Sequence, residues 1–154
     1  MLDVDAYAIY ATLLPTVSRQ RDAVILLVQE TTTRIQCIPP LPKGWDGVRK
    51  DFDRKNATSR MLRAILPTGA VYRLVPKAEI EADDARLKRE YPGVWQRRPG
   101  SLDFVAFSAV GFNADKTKAL VYVKTRSSFQ MELMERRGDK WEASKEGVRC
   151  GGIA

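Results

Sequence analysis

Histidine is missing from all 154 residues. Its absence removes the commonest general base, the Ser/His and Cys/His nucleophile pairs, and the most frequent transition-metal ligand. Carboxylate, lysine, tyrosine and an unassisted cysteine are what remain for catalysis. Long apolar runs are missing too: the longest, residues 23–28, falls far short of the roughly 20 residues that span a bilayer. No glycine-rich phosphate loop is present, since Pro67-Thr68-Gly69-Ala70 and Gly151-Gly152 match neither the Walker nor the dinucleotide pattern. The opening Met1-Leu2-Asp3-Val4-Asp5 puts acids where a secretory leader carries Lys or Arg, and no apolar segment follows. As written the chain is therefore expected to be cytoplasmic, and exported only if a leader was removed.

Cysteine is scarce. Cys37 and Cys150 are too few for a disulfide framework and too far apart for a zinc knuckle or a redox Cys-x-x-Cys. Two free thiols are the default reading. The alternative is a Cys37–Cys150 disulfide, which would stabilise the fold by up to about 4–5 kcal/mol in the chain-entropy picture. Cys37 could act as a nucleophile only with a cation to lower its pKa, and Arg34 is the one candidate nearby in sequence; a structural role is the expectation.

What is present describes one soluble α+β domain covering residues 1–154, because 44% hydrophobic and 29% charged residues are ordinary for a globular chain of this length. Ala6, Ile9, Tyr10 and Leu13 recur at helical spacing, with Asp3 or Asp5 as cap and Pro15 closing the run. Residues 23–28 read as a strand buried on both faces and central in a sheet. Pro39-Pro40-Leu41-Pro42-Lys43-Gly44 forbids regular structure and predicts a loop. Helices are predicted at 46–55, with Val48 and Phe52 on one face, and from Thr58 or Ser59 through Ile65. Val71 to Val75 suggests a short strand. Pro76 then opens a helix whose acids come early and bases late, with Ile80, Leu87 and Tyr91 on one face.

The clearest signal lies in residues 101–148, read as a four-stranded antiparallel meander. Its turns are placed at 111–115, 124–128 and 136–140. Ala119, Val121 and Val123 alternate with Leu120 and Tyr122, so the second strand should be internal; Gln130, Glu132 and Glu135 should give the third a solvated face. Arg137-Gly138-Asp139 spells an adhesion tripeptide, but a tight hairpin explains it better.

The formal charge of +7 is concentrated in residues 31–75, which carry +6. Such an excess attracts phosphate or other polyanions, and interspersed aromatics can stack bases. The candidate binding residues are Trp45, Arg49, Lys50, Arg54, Lys55 and Arg73. The acid pairs Asp51/Asp53 and Asp83/Asp84 read as helix surface, since flanking cations or a helical first half account for each. No catalytic residue, metal site or cofactor is assigned.

Ser108-Ala109-Val110-Gly111-Phe112-Asn113, then Ala119-Leu120-Val121-Tyr122-Val123 and the Gly138/Trp141 hairpin, resemble a family of small bacterial domains with no assigned activity. Tyr7-Ala8-Ile9-Tyr10 and Tyr91-Pro92-Gly93 add to the likeness, which covers mainly residues 91–143. Members often carry a glycine-rich, cysteine-containing step between the second and third strands, where this chain has Lys124-Thr125-Arg126-Ser127-Ser128. The resemblance implies a bacterial source and an envelope location, and no substrate.

The leading functional expectation is a non-enzymatic bacterial domain that binds a protein partner through its sheet or the proline-rich loop around Trp45. The alternatives are a polyanion or nucleic-acid-binding module using residues 34–73, and a small-ligand pocket protein or carboxylate-dependent hydrolase.

Overall fold

The structure, a computed structural model, describes residues 3–17, 24–63, 66–93, 103–147 and 150–153. Helix α1, Val4–Val17, buries Ala6, Ile9, Tyr10 and Leu13 together with Ala11 and Leu14. The Asp3 carboxylate accepts the Asp5 amide at 2.8 Å, satisfying one free donor of the first turn. Pro15 does not end this helix: it lies inside it, and the Thr16 hydroxyl donates to the Leu13 carbonyl in the final turn. The missing proline N–H leaves the Ala11 carbonyl without its helical donor, which is tolerable this close to the end.

Strand β1, Ile25–Val28, runs parallel to β2, Tyr72–Val75, on one side and to β3, Val105–Phe107, on the other. Antiparallel pairing then adds β5, Lys118–Thr125, β6, Ser128–Arg137, and β7, Lys140–Ala143. The short strands β4, Gly111–Phe112, and β8, Gly151–Ile153, pair with β5 and β6 respectively. The expected meander is therefore not a separate four-stranded unit. Its strands belong to one mixed sheet of eight described strands, because the apolar β1 needs a neighbour on each edge to satisfy its backbone.

Helix α2, Asp46–Lys55, and helix α3, Lys77–Glu90, occupy the segments read as helical. The helix expected at 58–65 does not form in its described part, and Ile65 lies outside the described residues. Instead Met61 bridges Glu30, while Thr31 and Leu62 donate to Arg60 and Gln29, so the segment is drawn out along the end of β1. Tertiary pairing there outweighs a weak helical pattern.

One face of the sheet, with Leu27, Phe107, Val121, Val123 and Met134, packs on α1. The other is covered in two parts. Leu120, Tyr122, Met131 and Leu133 lie under α2 and the irregular segment 31–45, while Val28, Val75 and Ala106 lie under Ile80 of α3. The expected solvated face of β6 is largely closed: Glu132 is buried, because it stands opposite Val121 on the face toward α1. The first hairpin turn is shorter than read, since Gly111 and Phe112 are paired as strand. At the tip of the β6–β7 hairpin Gly138 takes φ 66°, the first loop position of a two-residue turn that favours glycine.

Between β3 and β4 the chain gains one residue. Phe107 faces Val123 and Gly111 faces Leu120, so residues 108–110 oppose only 121 and 122, which makes a β-bulge. Side chains from three places close it. The Asn56 amide nitrogen donates to the Ala109 carbonyl at 3.1 Å and its oxygen accepts the Ala109 amide at 2.9 Å. The Tyr10 hydroxyl donates to the Ser108 carbonyl at 2.7 Å, and the Ser108 hydroxyl oxygen accepts the Tyr122 amide at 2.8 Å. Immediately after the bulge, Gly111 meets α2 backbone to backbone: a Cβ there would sit 2.5 Å from the Phe52 nitrogen and Cβ.

Neither of those atoms can swing away, so Gly111→Ala must separate α2 from β4. It should cost about 3 kcal/mol or more, lowering Tm by about 6–12 °C. Gly47→Ala, where nothing lies within 4 Å, is the matched control and should leave Tm nearly unchanged when both are followed by circular dichroism.

Candidate functional site

In the α2 sequence Asp46-Gly47-Val48-Arg49-Lys50-Asp51-Phe52-Asp53-Arg54-Lys55, Val48 and Phe52 turn inward and every charge is left outside or at the rim. Trp45, expected to present its ring to a ligand, is fully buried at the start of α2. It belongs to the core formed with Tyr122, Met131 and Leu133, and the Lys118 ammonium lies 5.5 Å from its ring centre. A large aromatic can anchor a proline-rich loop as well as stack on a base, and here it does the former.

The cations are divided between two places. Arg49 pairs with Asp53 at 3.0 Å, and Arg54 and Lys55 both reach Asp51, at 2.6 and 2.8 Å. Arg73 stands apart on β2, beside Glu79 of α3 at 3.6 Å. Lys50 is exposed and has no ion pair among the described residues. Four of the nine cations of residues 31–75 are thus held by carboxylates, and those four are not gathered on one face.

Asp51 is the meeting point. Besides its two cations it accepts the Phe112 amide at 2.8 Å, tying α2 to β4. Burial alone would raise its carboxyl, but Lys55, the Phe112 amide and Arg54 outweigh burial and hold it below the ordinary 3.8. Lys55 and Lys116 both lie over the Phe112 ring, at 4.9 and 5.6 Å. Lys116 in turn binds Asp3 and approaches Asp5 at 3.7 Å, and Arg136 approaches Asp5 at the same distance. Burial also works against the Asp3 charge, and the Lys116 hydrogen bond with the Asp5 amide overcomes it, so Asp3 is lowered as well. The hydrogen bond to Asp3 is the main reason Lys116 is raised.

A second network fastens α3. Arg126, from the β5–β6 turn, donates to Asp83 at 2.8 Å and to Asp84, while its guanidinium lies 5.3 Å from the Phe104 ring centre. Asp83 is buried and also accepts Arg86 at 2.9 Å, a hydrogen bond that is the chief cause of the raised Arg86 pKa. The acid pairs considered for metal or acid–base chemistry are therefore committed to arginine and lysine. Among the described residues no three His, Cys, Asp or Glu side chains converge as a metal site requires. Tyr10 and Tyr122 are both pushed up chiefly by burial.

The expectation of two free thiols is corrected: Cys37 and Cys150 form a disulfide, with their Cα atoms 6.2 Å apart. It joins the irregular segment 31–45 to the residue before β8. Ile35, Ile38 and Leu41 pack against the same core as Trp45, and Pro42 packs against Gly147. Segment 31–45 is thereby a strap laid across β5 and β6, with Thr33, Arg34, Gln36, Pro40 and Lys43 facing outward. Arg34 and Lys43 have no ion pair among the described residues. Proline and glycine content marks this segment as a loop; nothing in it indicates a partner more than a hundred residues away.

Asn56, Gly111 and Arg126 escape sequence reasoning because their roles exist only once distant segments meet. Comparison with known proteins gives no match: no family model, no curated protein and no solved structure matches the chain.

The depressed Asp51 and Asp3 fix the sign of the pH response. A carboxyl lowered on folding stabilises the native state above its unfolded pKa, and that contribution is lost as pH falls through the folded value. Stability should hold from neutral pH to near 4 and then drop. Asp51→Asn should lose stability at pH 7 and flatten the acid limb, measured as urea midpoints between pH 2.5 and 7; profiles parallel to wild type would show that Asp51 does not carry it.

Proposed function

We propose that this chain is a non-enzymatic binding domain that works in an oxidising compartment and presents the strap of residues 31–45 to a protein partner. The observation that carries the reading is the strap itself. Irregular segments of this length inside a compact domain are usually functional or disordered, and this one is held in place by the Cys37–Cys150 disulfide, a buried Pro39 and three inward apolar side chains. Prolines and a cross-link reduce the ordering cost of binding, which favours a preorganised loop as a recognition surface. Its outward Arg34 and Lys43, with Lys50 on α2, suit an acidic partner surface.

A stable disulfide is a feature of secreted, periplasmic and cell-surface proteins. Together with the resemblance to small bacterial domains, it favours the bacterial envelope. The non-enzymatic part rests on where the shifted titratable groups sit. Asp3, Asp51, Arg86 and Lys116 are explained by ion pairs, and Tyr10 and Tyr122 chiefly by burial, so among these six groups no acid and base stand poised against each other. The polyanion reading is the weaker one, because Arg49, Arg54, Lys55 and Arg73 must leave carboxylates to reach phosphate.

Two measurements test this. Thiol titration of the denatured, unreduced protein should find no reactive thiol, and two after dithiothreitol; two at the outset would remove the compartment argument. A photo-crosslinking amino acid at Gln36, compared with one at exposed Thr12 on α1, should yield a discrete protein adduct in a bacterial envelope extract only at Gln36. Equal labelling at both sites, or none, would overturn the strap as the binding surface, and salt-sensitive retention on heparin would shift the case to a polyanion.

A further inference from the structure

We infer that the Cys37–Cys150 disulfide is a redox latch: a dithiol reductant that opens it releases the strap from the sheet and uncovers an apolar floor, while the rest of the domain stays folded. This goes beyond the proposed binding role, although both depend on the same segment. Thr32 donates to the Phe107 carbonyl at one end, and at the other the Trp45 ring is fully buried at the start of α2. Between them, among the described residues, no backbone–backbone hydrogen bond ties residues 33–41 to any strand or helix. Residues 33–41 are therefore attached by three partly buried apolar side chains, Ile35, Ile38 and Leu41, by the buried Pro39 and by one covalent bond.

The other end of that bond is equally local. Cys150 accepts the Met131 amide at 3.0 Å and leads into β8, a three-residue edge strand on Ser128 to Gln130. Gly151 and Gly152 let β8 lie close over Phe129, so the latch clips one marginal segment to another on the outer side of β6. The main fastenings lie elsewhere: the Asn56–Ala109 clamp, the Asp51–Phe112 bond, the Arg126–Asp83 pair and the α1 core make no use of the strap. Segments with few hydrogen bonds and little buried apolar area open at low cost, independently of the global transition. Beneath residues 33–41 lie Leu120, Tyr122, Met131 and Leu133, with the buried Trp45 at the strap's end beside them, a surface that is apolar apart from the Tyr122 hydroxyl and the Trp45 N–H.

The chemistry balances with an external dithiol. One of its thiolates attacks a sulfur of the Cys37–Cys150 bond, giving a mixed disulfide and releasing the other cysteine as thiolate. The second thiol of the reductant then displaces the remaining cysteine, so two electrons pass to the protein, two cysteine thiols form and the reductant leaves as its disulfide.

Trypsin reads the outcome, since Arg34 and Lys43 lie on the strap. With dithiothreitol, cleavage after these residues should accelerate about tenfold or more, a modest part of what removing a long-range cross-link can contribute. Anilinonaphthalene sulfonate fluorescence should rise and the far-ultraviolet circular dichroism should be unchanged. The Cys37→Ser/Cys150→Ser protein should behave like the reduced wild type and ignore dithiothreitol; if it does not accumulate, reduction of the wild type still decides. Unchanged strap cleavage on reduction overturns the latch, because apolar contacts alone then hold the strap. Loss of the circular dichroism signal also overturns it, because the bond is then a staple of the whole fold. Failure of the Gln36 crosslink with the latch intact would leave the redox response standing and remove only the binding role.

Discussion

The side-chain amide of Asn56 lies on the backbone of Ala109 as a neighbouring strand would, giving one hydrogen bond and receiving another. The geometry of the domain depends on that exchange. The extra residue at 108–110 turns backbone groups away from β5, and a buried peptide group without a partner costs about 1–3 kcal/mol. Asn56, just past the end of α2, supplies a donor and an acceptor for Ala109, whose carbonyl also accepts the Ser108 hydroxyl, and Tyr10 supplies a donor for Ser108 from α1 on the opposite face. The bulge is thus stitched from both sides of the sheet. It sets where β4 begins, and it places Gly111 where only hydrogen lets the Phe52 backbone approach.

From that contact the other layers follow. With α2 fixed on β4, Asp51 meets the Phe112 amide and Lys55, and the Phe112 ring lies between two ammonium groups. Lys116 then carries the belt of charge to Asp3 and Asp5 at the start of α1. Across the sheet Arg126 does for α3 what Asp51 does for α2, gripping Asp83 and Asp84 from the β5–β6 turn. Both networks join a helix to a strand or turn that is remote in sequence. Such partly buried pairs are costly to break because one partner is left uncompensated. Among the described residues these paired groups act as fasteners between a helix and a strand or turn remote in sequence.

The elements most legible in the sequence are those defined by local chemistry. Val48 and Phe52 one turn apart mark α2, Pro76 with early acids and late bases marks α3, and strict alternation marks β5. Where the reading fails, a distant partner decides. Residues 58–63 leave helical spacing to pair beside Gln29 and Glu30, Glu132 is drawn under α1 by its register with Val121, and Pro15 sits close enough to a helix end to be carried through. The placement of the candidate binding residues is hidden from the sequence for a related reason. Charge density along the chain says nothing of which acid each cation will meet, and apolar context alone does not say whether Trp45 faces in or out. The disulfide is the extreme case, because a sequence separation of 113 between its cysteines leaves no local trace.

The account stands or falls on the bulge being one object held from two faces. A double-mutant cycle between Tyr10→Phe and Asn56→Ala, measured by urea denaturation, addresses that directly, since the two side chains sit on opposite faces of the sheet and act on adjacent residues. If both secure the same bulge, the first substitution should loosen what the second would have lost, giving a coupling of at least about 0.5 kcal/mol with the double mutant less destabilised than the sum. Destabilisations that add to within about 0.3 kcal/mol would contradict the account, showing two independent hydrogen-bonding sites.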